Sequence, residues 1–401
     1  MKRKLAIFLL SLLLVSSLFI TNVYSAVVVD DLGRVVRLYK TPKRIVSTAP
    51  SITEILFAIG AGDRVVGRTD FDNYPPEVKK IPSIGGFSTP SYEKIISLRP
   101  DLVISAKSFP KQLFDKLAAQ LPVMVLDPHS LKDIANDIRK VGIVTGLYRN
   151  AQGVAFKVEA IERAVRAFTG NHQDKKVFFV LWYNPIMSTN KTTFIGQMLE
   201  DIKVNNIASD LQSPWPMVNP EYLLQNDPDI IIMPKNSMAY AGRPAFLNEF
   251  PWKDLKAVKN GNVYYVNDDW VFRPGPRIVY GLVQLAHIVQ PTTFNKEVVA
   301  IGLNDRVYAK AYYKHELGDD NGAVAVYLNA EEGRTYISKD GAEKILGVET
   351  GSDFVVYKGK TCKVKTDNTG IYIRLRDVLN CMGIKDVVWN GDYREIYLLL
   401  P

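Results

Sequence analysis

Two glutamates stand in matched settings. Glu93, within "SYEKIISLRPDLVI", and Glu221, within "PEYLLQNDPDIIIM", are each followed seven residues later by Pro-Asp and then by a run of branched apolar residues. A carboxylate pair is the equipment of a glycosidase, provided the two groups lie roughly 5 to 10 Å apart. The surroundings argue against that chemistry. Each Glu opens a short apolar-periodic segment, where its charge complements the positive end of a helix, and each Pro stops that helix. The runs "DLVIS" and "DIIIM" then read as parallel-type strands buried on both faces. The carboxylates therefore belong to corresponding places of two separate α/β units, too far apart to share one substrate bond.

Other catalytic equipment does not emerge. The sequence shows no Ser-His-Asp, Cys-His or phosphate-loop arrangement, so the chain reads as a non-enzyme. His129, His172, His287 and His315 have no ligand spacing with one another or with Cys362 and Cys381, so no metal site is expected. Aromatic residues are more informative. Phe71, Tyr74, Phe87, Trp182, Tyr183, Trp215, Trp270 and Phe272 concentrate in segments that would follow strands, and Trp215 lies between Pro214 and Pro216. Such rings suit a large, flat, partly apolar ligand, because each removes much apolar area from water at small entropic cost. Asp269, Arg273 and Arg277 supply charge for its polar periphery. Neighbouring prolines and glycines place Trp215 and Trp270 in loops rather than in the core.

These residues need a scaffold, and the pattern supplies one. "KRIVST" and "DRVVGR" read as strands around a helix that opens at a Ser51-Ile-Thr-Glu54 capping box and ends at Gly60; "LPVMVLDP" adds another strand. A long helical region runs from Leu131 to about Thr169, with Val154, Val158, Ile161, Val165 and Phe168 on one face, and would make a stiff connector. Strand and helix alternate again through "KKVFFVL", "TTFIGQMLEDI", "DIIIMP" and "GNVYYV". After Pro291 the texture changes to short alternating segments, "DFVVYKG", "KTCKVKT" and "REIYLLL", with one helix signal in "RLRDVLNCMG". The expected fold is thus α/β, two Rossmann-like α/β lobes bridged by a long rigid helix, plus a small C-terminal α+β domain. Its expected boundaries are a signal at 1–25, lobes at 26–131 and 170–291 with a helical connector at 132–169, and a module at 292–401 packed near the second lobe or joined through a short stretch.

Composition agrees with an ordinary globular protein: 401 residues, 47% hydrophobic and 23% charged, room for two or three domains. Lys2, Arg3 and Lys4 precede an apolar run from Leu5 to Ile20, and Ser25 offers a small residue for cleavage. A cleaved secretory signal is the reading adopted, an uncleaved anchor the alternative. No cysteine lies near that cut, which argues against a lipid anchor and for a periplasmic or secreted protein. Loss of those three basic residues lowers the formal charge from +8 to +5, spread along the chain, so nucleic acid is not the partner. In an oxidising compartment Cys362 and Cys381 either pair or remain two buried thiols.

At this point a resemblance can be named. The stretches "RIVSTAPSITEILFAIGAGDRVVG", "DFDNYPPEVKKIPSIGGF", "SYEKIISLRPDLVI" and "NDDWVFRPGPRI" resemble the class III periplasmic binding proteins of ABC importers. "WYNPIMSTNKTTFIGQMLE" and "SPWPMVNPEYLL" draw the likeness toward the cobalamin binders, while "RTYISKDGAEKILG" and "IYIRLRDVLNCMGIKDVVWNGDYREIYL" resemble a copper amine oxidase N-terminal-like domain, without copper-site histidines. The resemblance implies a monomer without covalent cofactor that carries a corrinoid to a permease dimer in the cytoplasmic membrane, with a ferric siderophore or haem as alternatives. It places Phe71, Phe87, Trp215, Asp269 and Arg273 at ligand contacts, with Phe71 and Phe87 where an enterobacterial cobalamin binder has Tyr and Trp. For haem, Tyr74 or Tyr183 would supply an iron ligand. The resemblance also makes Glu93 and Glu221 the residues that dock on permease arginines, one per lobe. A wall-associated interaction protein, suggested only by the C-terminal module, is a third class.

Overall fold

The computed structural model describes residues 26–235, 244–302, 307–311, 326–329, 334–367, 369–390 and 392–400, so the expected signal segment lies outside the described residues. The chain opens with an antiparallel hairpin, β1 (Ala26–Val29) and β2 (Val35–Leu38). The first lobe follows: β3 (Ile45–Ser47), helix α1 (Pro50–Ala58), β4 (Val65–Gly67), α2 (Tyr92–Ser97), β5 (Leu102–Ala106), α3 (Lys111–Ala118) and β6 (Val123–Leu126). Its strands are parallel in the order β4-β3-β5-β6. As expected for strands covered on both sides, β3 and β6 are buried at every position.

The helical connector is two helices rather than one. Helix α4 (Leu131–Thr145) ends at Gly146, which takes the left-handed conformation, and α5 (Tyr148–Phe168) starts directly after Leu147. A left-handed residue stops the i to i−4 ladder and lets the chain fold back, so the two helices pack as a hairpin. The predicted apolar face of α5 is inside: Val154, Val158, Ile161 and Val165 are buried and Phe168 packs against them.

The second lobe repeats the first. Strand β7 (His172–Phe179) leads to the small hairpin β8 (Trp182–Tyr183) and β9 (Ile186–Met187), then α6 (Phe194–Asp201), β10 (Val204–Asn206), α7 (Pro220–Asn226), β11 (Ile230–Pro234), α8 (Lys256–Lys259) and β12 (Val263–Val266). The parallel order β10-β7-β11-β12 places first, second, third and fourth strands as in the first lobe. Short α9 (Asp268–Val271), α10 (Ile278–Val289) and α11 (Pro291–Phe294) complete it. Phe294 is fully buried in the core that the lobes share with the first strand of the module.

In the module, β13 (Glu297–Gly302), β14 (Val307–Ala311), β21 (Val387–Asn390) and β22 (Glu395–Leu400) form an antiparallel sheet in the order β14-β13-β22-β21. Between β14 and β21 come β15 (Val326–Asn329), β16 (Arg334–Ser338), α12 (Lys339–Leu346), β17 (Glu349–Thr350), β18 (Phe354–Tyr357), β19 (Lys360–Lys363), β20 (Tyr372–Arg374) and α13 (Leu375–Met382). Cys362 and Cys381 form a disulfide joining β19 to α13. The module packs on the rest of the chain through this first sheet, against α5 and, at β14, against α10 of the second lobe. Its sheet lies on the connector helix α5: Val298, Ala300, Tyr397 and Leu399 join the core that runs through both lobes, while Val299, Ile301, Ile396 and Leu398 face the module's own core. A sheet buried on both faces explains why "EIYLLL" is buried at every position and carries apolar or aromatic side chains from Ile396 onward. Arg163 of α5 seals the contact, donating to Glu395 at 2.5 and 3.0 Å with its guanidinium over the Tyr393 ring.

Candidate functional site

Segments leaving the carboxyl ends of parallel strands are where open α/β sheets bind ligands, and the candidate residues all lie on such segments. Phe71, Tyr74 and Phe87 follow β4, Trp182 and Tyr183 follow β7, Trp215 follows β10, and Asp269 to Arg273 follow β12. Two groups result. The first is a junction between lobes. Arg273 donates to Glu54 Oε1 (2.9 Å), to Asn73 Oδ1 (2.7 Å) and to the Phe71 carbonyl (3.2 Å), and pairs with Asp269 (2.7 Å). Arg277 donates to both oxygens of Glu54 (2.7 and 2.9 Å) and lies 4.0 Å over the Tyr74 ring. Asn73 closes the circle by donating to Asp269 at 3.2 Å.

The junction revises the reading of Glu54. Helix α1 has Ala49 as its N-cap with Pro50 in the first turn and no side-chain cap, so Ser51 and Glu54 form no capping box. Glu54 is buried instead between two guanidinium groups of the other lobe. Burial pushes its carboxyl up, opposed by hydrogen bonds and charge from Arg277 and then Arg273. Backbones also meet here: a Cβ on Gly275 would stand 3.2 Å from the Ser51 carbonyl oxygen. Arg273 and Arg277 are thus committed first to holding the lobes together. Glu54 lies 219 residues from Arg273 in sequence, and no local pattern announces that pairing.

The second group is aromatic and belongs to the second lobe. Trp182 and Tyr183 stack at a tilt, and Tyr183 lies flat on Phe246 with ring centroids 4.6 Å apart. Trp182 pairs with Met187, and Met187 bridges to Met217, which brings the Trp215 loop beside the β8–β9 hairpin. Trp215 meets Phe194 edge-on and remains 37% exposed, and Met217, not foreseen from the sequence, is 73% exposed. In the first lobe Phe71 is 60% exposed. Gly196 keeps the Trp215 loop's neighbour in place, since a Cβ there would stand 1.8 Å from the Asn190 carbonyl oxygen.

Three candidates are more enclosed. Phe87 packs partly against the core, and Phe272 meets Phe179 edge-on at the end of β7. Trp270 overturns its assignment to a loop: it is 6% exposed, sits in α9 and packs on Tyr280 of α10. Its neighbouring Pro274 and Gly275 shape the turn after α9, and Trp270 itself is core. Among the described residues, no group of three or more His, Cys, Asp or Glu side chains is placed to hold a metal ion.

The repeated stretches resolve into matched geometry. Glu93 is the second residue of α2 behind the N-cap Ser91, and Glu221 is the second residue of α7 behind the N-cap Asn219; both are exposed. Each helix then runs to a left-handed residue, Arg99 or Asp227, directly before the Pro-Asp. The aspartates fasten neighbouring strands: Asp101 accepts from the amides of Lys43 and Arg44 (2.8 and 2.9 Å), Asp229 from the amide of Lys176 (3.0 Å). Half of the repeat, the Asp, is therefore architectural, while the Glu faces solvent.

Comparison with known proteins fits this geometry. A family model described as periplasmic binding protein matches residues 45–270. An uncharacterized ABC transporter substrate-binding lipoprotein of Bacillus subtilis, YvrC, is 33% identical over 288 residues, 69% of this chain and 89% of the relative. The periplasmic vitamin B12 binding protein BtuF of Vibrio cholerae superimposes with a TM-score of 0.55 at 25% identity, covering 63% of this chain and 98% of that one. The periplasmic heme-binding protein RhuT from Roseiflexus sp. RS-1 gives 0.56 at 28% identity, covering 62% and 98%.

Proposed function

The chain belongs to the periplasmic binding protein family, as a substrate-binding protein of an ABC transporter, and from that premise we propose that its cargo is a corrinoid held between the two lobes. The observation that carries this reading is the set of exposed apolar side chains, Phe71, Trp182, Trp215 and Met217, on segments leaving the strand ends of both sheets. A wide, flat macrocycle covers such surfaces with little loss of side-chain entropy. The Glu54, Arg273 and Arg277 junction supports a binding mode with little hinge motion, because lobes joined by buried charge and by α5 resist opening.

Haem, the cargo in the name of RhuT, would want an iron ligand from Tyr74 or Tyr183. One ring lies beneath Arg277 and the other is stacked flat on Phe246, arrangements that favour packing roles for both. Glu93 and Glu221 serve in this reading as one docking carboxylate per lobe, so that a pseudo-two-fold protein meets a two-fold permease. Calorimetry of the folded protein with cobinamide, cobalamin, haem and a ferric siderophore tests the cargo. Micromolar or tighter binding of a corrinoid with none of the others upholds it, and preference for haem or siderophore replaces it.

A further inference from the structure

Strand β21 is the last strand in the order β14-β13-β22-β21 of the module's sheet. Among the described residues, strand β21 pairs with β22 on one side only, with Trp389 opposite Ile396 and Val387 opposite Leu398. Ile396 and Leu398 belong to the module's own core, so Val387 and Trp389 stand on that same face. Yet they are 41% and 48% exposed. Beside them runs a groove of about 880 Å³ whose floor is Leu375 and Leu379 of α13 with Ile384. Leu375, Leu379 and Ile384 belong to the module's core and are 3%, 5% and 8% exposed, so the open apolar area along this edge is that of Val387 and Trp389.

Backbone polarity points the same way. The Leu399 amide donates to the Asp386 carbonyl, which makes that pair a hydrogen-bonded one in the antiparallel ladder. By alternation, Val388 and Asn390 turn their amide and carbonyl groups toward β22, and Trp389 turns its own toward the open edge. An edge of this kind accepts an added strand, whose main chain supplies the hydrogen bonds and whose alternate side chains fall on the floor. Charge then selects the strand. Arg374, Arg376 and Lys385 line the groove with no carboxylate among the described lining residues; Asp377 pairs with Arg374, while Arg376 and Lys385 are exposed at the rim. The lining offers few neutral hydrogen-bonding groups, Thr335 and Asn380, which suits a peptide better than a sugar polymer.

We propose that the C-terminal module is a peptide-binding unit in which an extended segment of alternating apolar and acidic residues adds to β21 as a further strand, over the floor of Leu375, Leu379 and Ile384.

The test is fluorescence anisotropy of a labelled peptide of alternating valine and glutamate, titrated with the folded protein. Saturable binding is expected, weakened about tenfold or more when lysine replaces glutamate in the peptide or in the R376E/K385E double variant. Both positions are exposed, and an unchanged melting curve verifies the variant's fold. N-methylation of alternate peptide amides on one register should abolish binding while the other register tolerates it. The proposal is overturned by absence of binding, by equal binding of polyglutamate, or by indifference to N-methylation in both registers. It is equally overturned if sedimentation shows the protein dimerising through this edge, with dimerisation lost in R376E/K385E, because the occupant would then be a second copy.

Discussion

At the residue scale, two tryptophans that look alike in sequence part company in the structure. Trp215 is 37% exposed on a loop and Trp270 is core. The Trp215→Ala variant should keep its unfolding midpoint and lose about 1 to 4 kcal/mol of cargo binding, as a truncated aromatic anchor does. Trp270→Ala should lose about 3 to 5 kcal/mol of stability by leaving a cavity. Denaturant unfolding and calorimetry on both variants separate the roles, and a reversed pattern would return Trp270 to the site. Two buried aspartates give a pH signature. Burial pushes Asp137 and Asp201 up to about 8, aided by Asp31 and Glu162 respectively and opposed by Lys140 and Arg166. One oxygen of each lacks a hydrogen-bond partner, in keeping with a neutral carboxyl. A carboxyl whose folded pKa exceeds its unfolded value holds its proton more tightly in the native state. Its stabilising protonation is complete below the unfolded pKa near 3.8 and is lost as pH rises toward about 8. Thermal unfolding should therefore show lower stability at pH 8 than at pH 5. Asp201→Asn should gain more at pH 8 than at pH 5, by at least about 1.4 kcal/mol, the worth of a single pKa unit.

At the scale of elements, the helix-to-strand repeat divides labour within itself. Asp101 and Asp229 hold strand backbones, so replacing either by Ala should cost about 1.5 to 3 kcal/mol, the usual loss for a hydrogen bond to a charged group. Glu93 and Glu221 have no such duty. The Glu93→Ala, Glu221→Ala double variant should stay within about 2 kcal/mol of the parent's stability, the helix-dipole contribution of two residues. It should nonetheless fail to dock on the permease in reconstituted vesicles, since a desolvated charge pair is worth about 2 to 5 kcal/mol when one partner is removed. Docking and uptake equal to the parent's would reduce the repeat to shared architecture.

For the whole molecule, the decisive contact is the module's sheet on α5. One core runs from the first lobe through α4 and α5 into the second lobe and on to β13 and β22. Cutting the chain after Asn295 would bare that face of α5 and strand Arg163 without Glu395. Such a truncation should lower the melting temperature of the lobes by several degrees while leaving cargo affinity within about twofold, because the cleft residues lie apart from the cut. A large loss of affinity would make the module part of the cargo site.

What could be read without coordinates was whatever leaves a periodic or local trace. Alternating helices and strands announced two α/β lobes, the apolar stripe from Val154 to Phe168 announced a buried helix, and the Glu to Pro-Asp spacing announced equivalent units, because each depends on neighbours a few residues apart. Chain order also placed the aromatic residues after strands. Periodicity reports that a face is apolar but not what covers it, so the packing of β13 and β22 on α5 and the burial of Trp270 against Tyr280 had no sequence signature. Nor did the Glu54 junction. Its partners lie more than 200 residues away, its local spacing imitates a helix cap, and only the tertiary structure brings two arginines of the second lobe onto a carboxylate of the first.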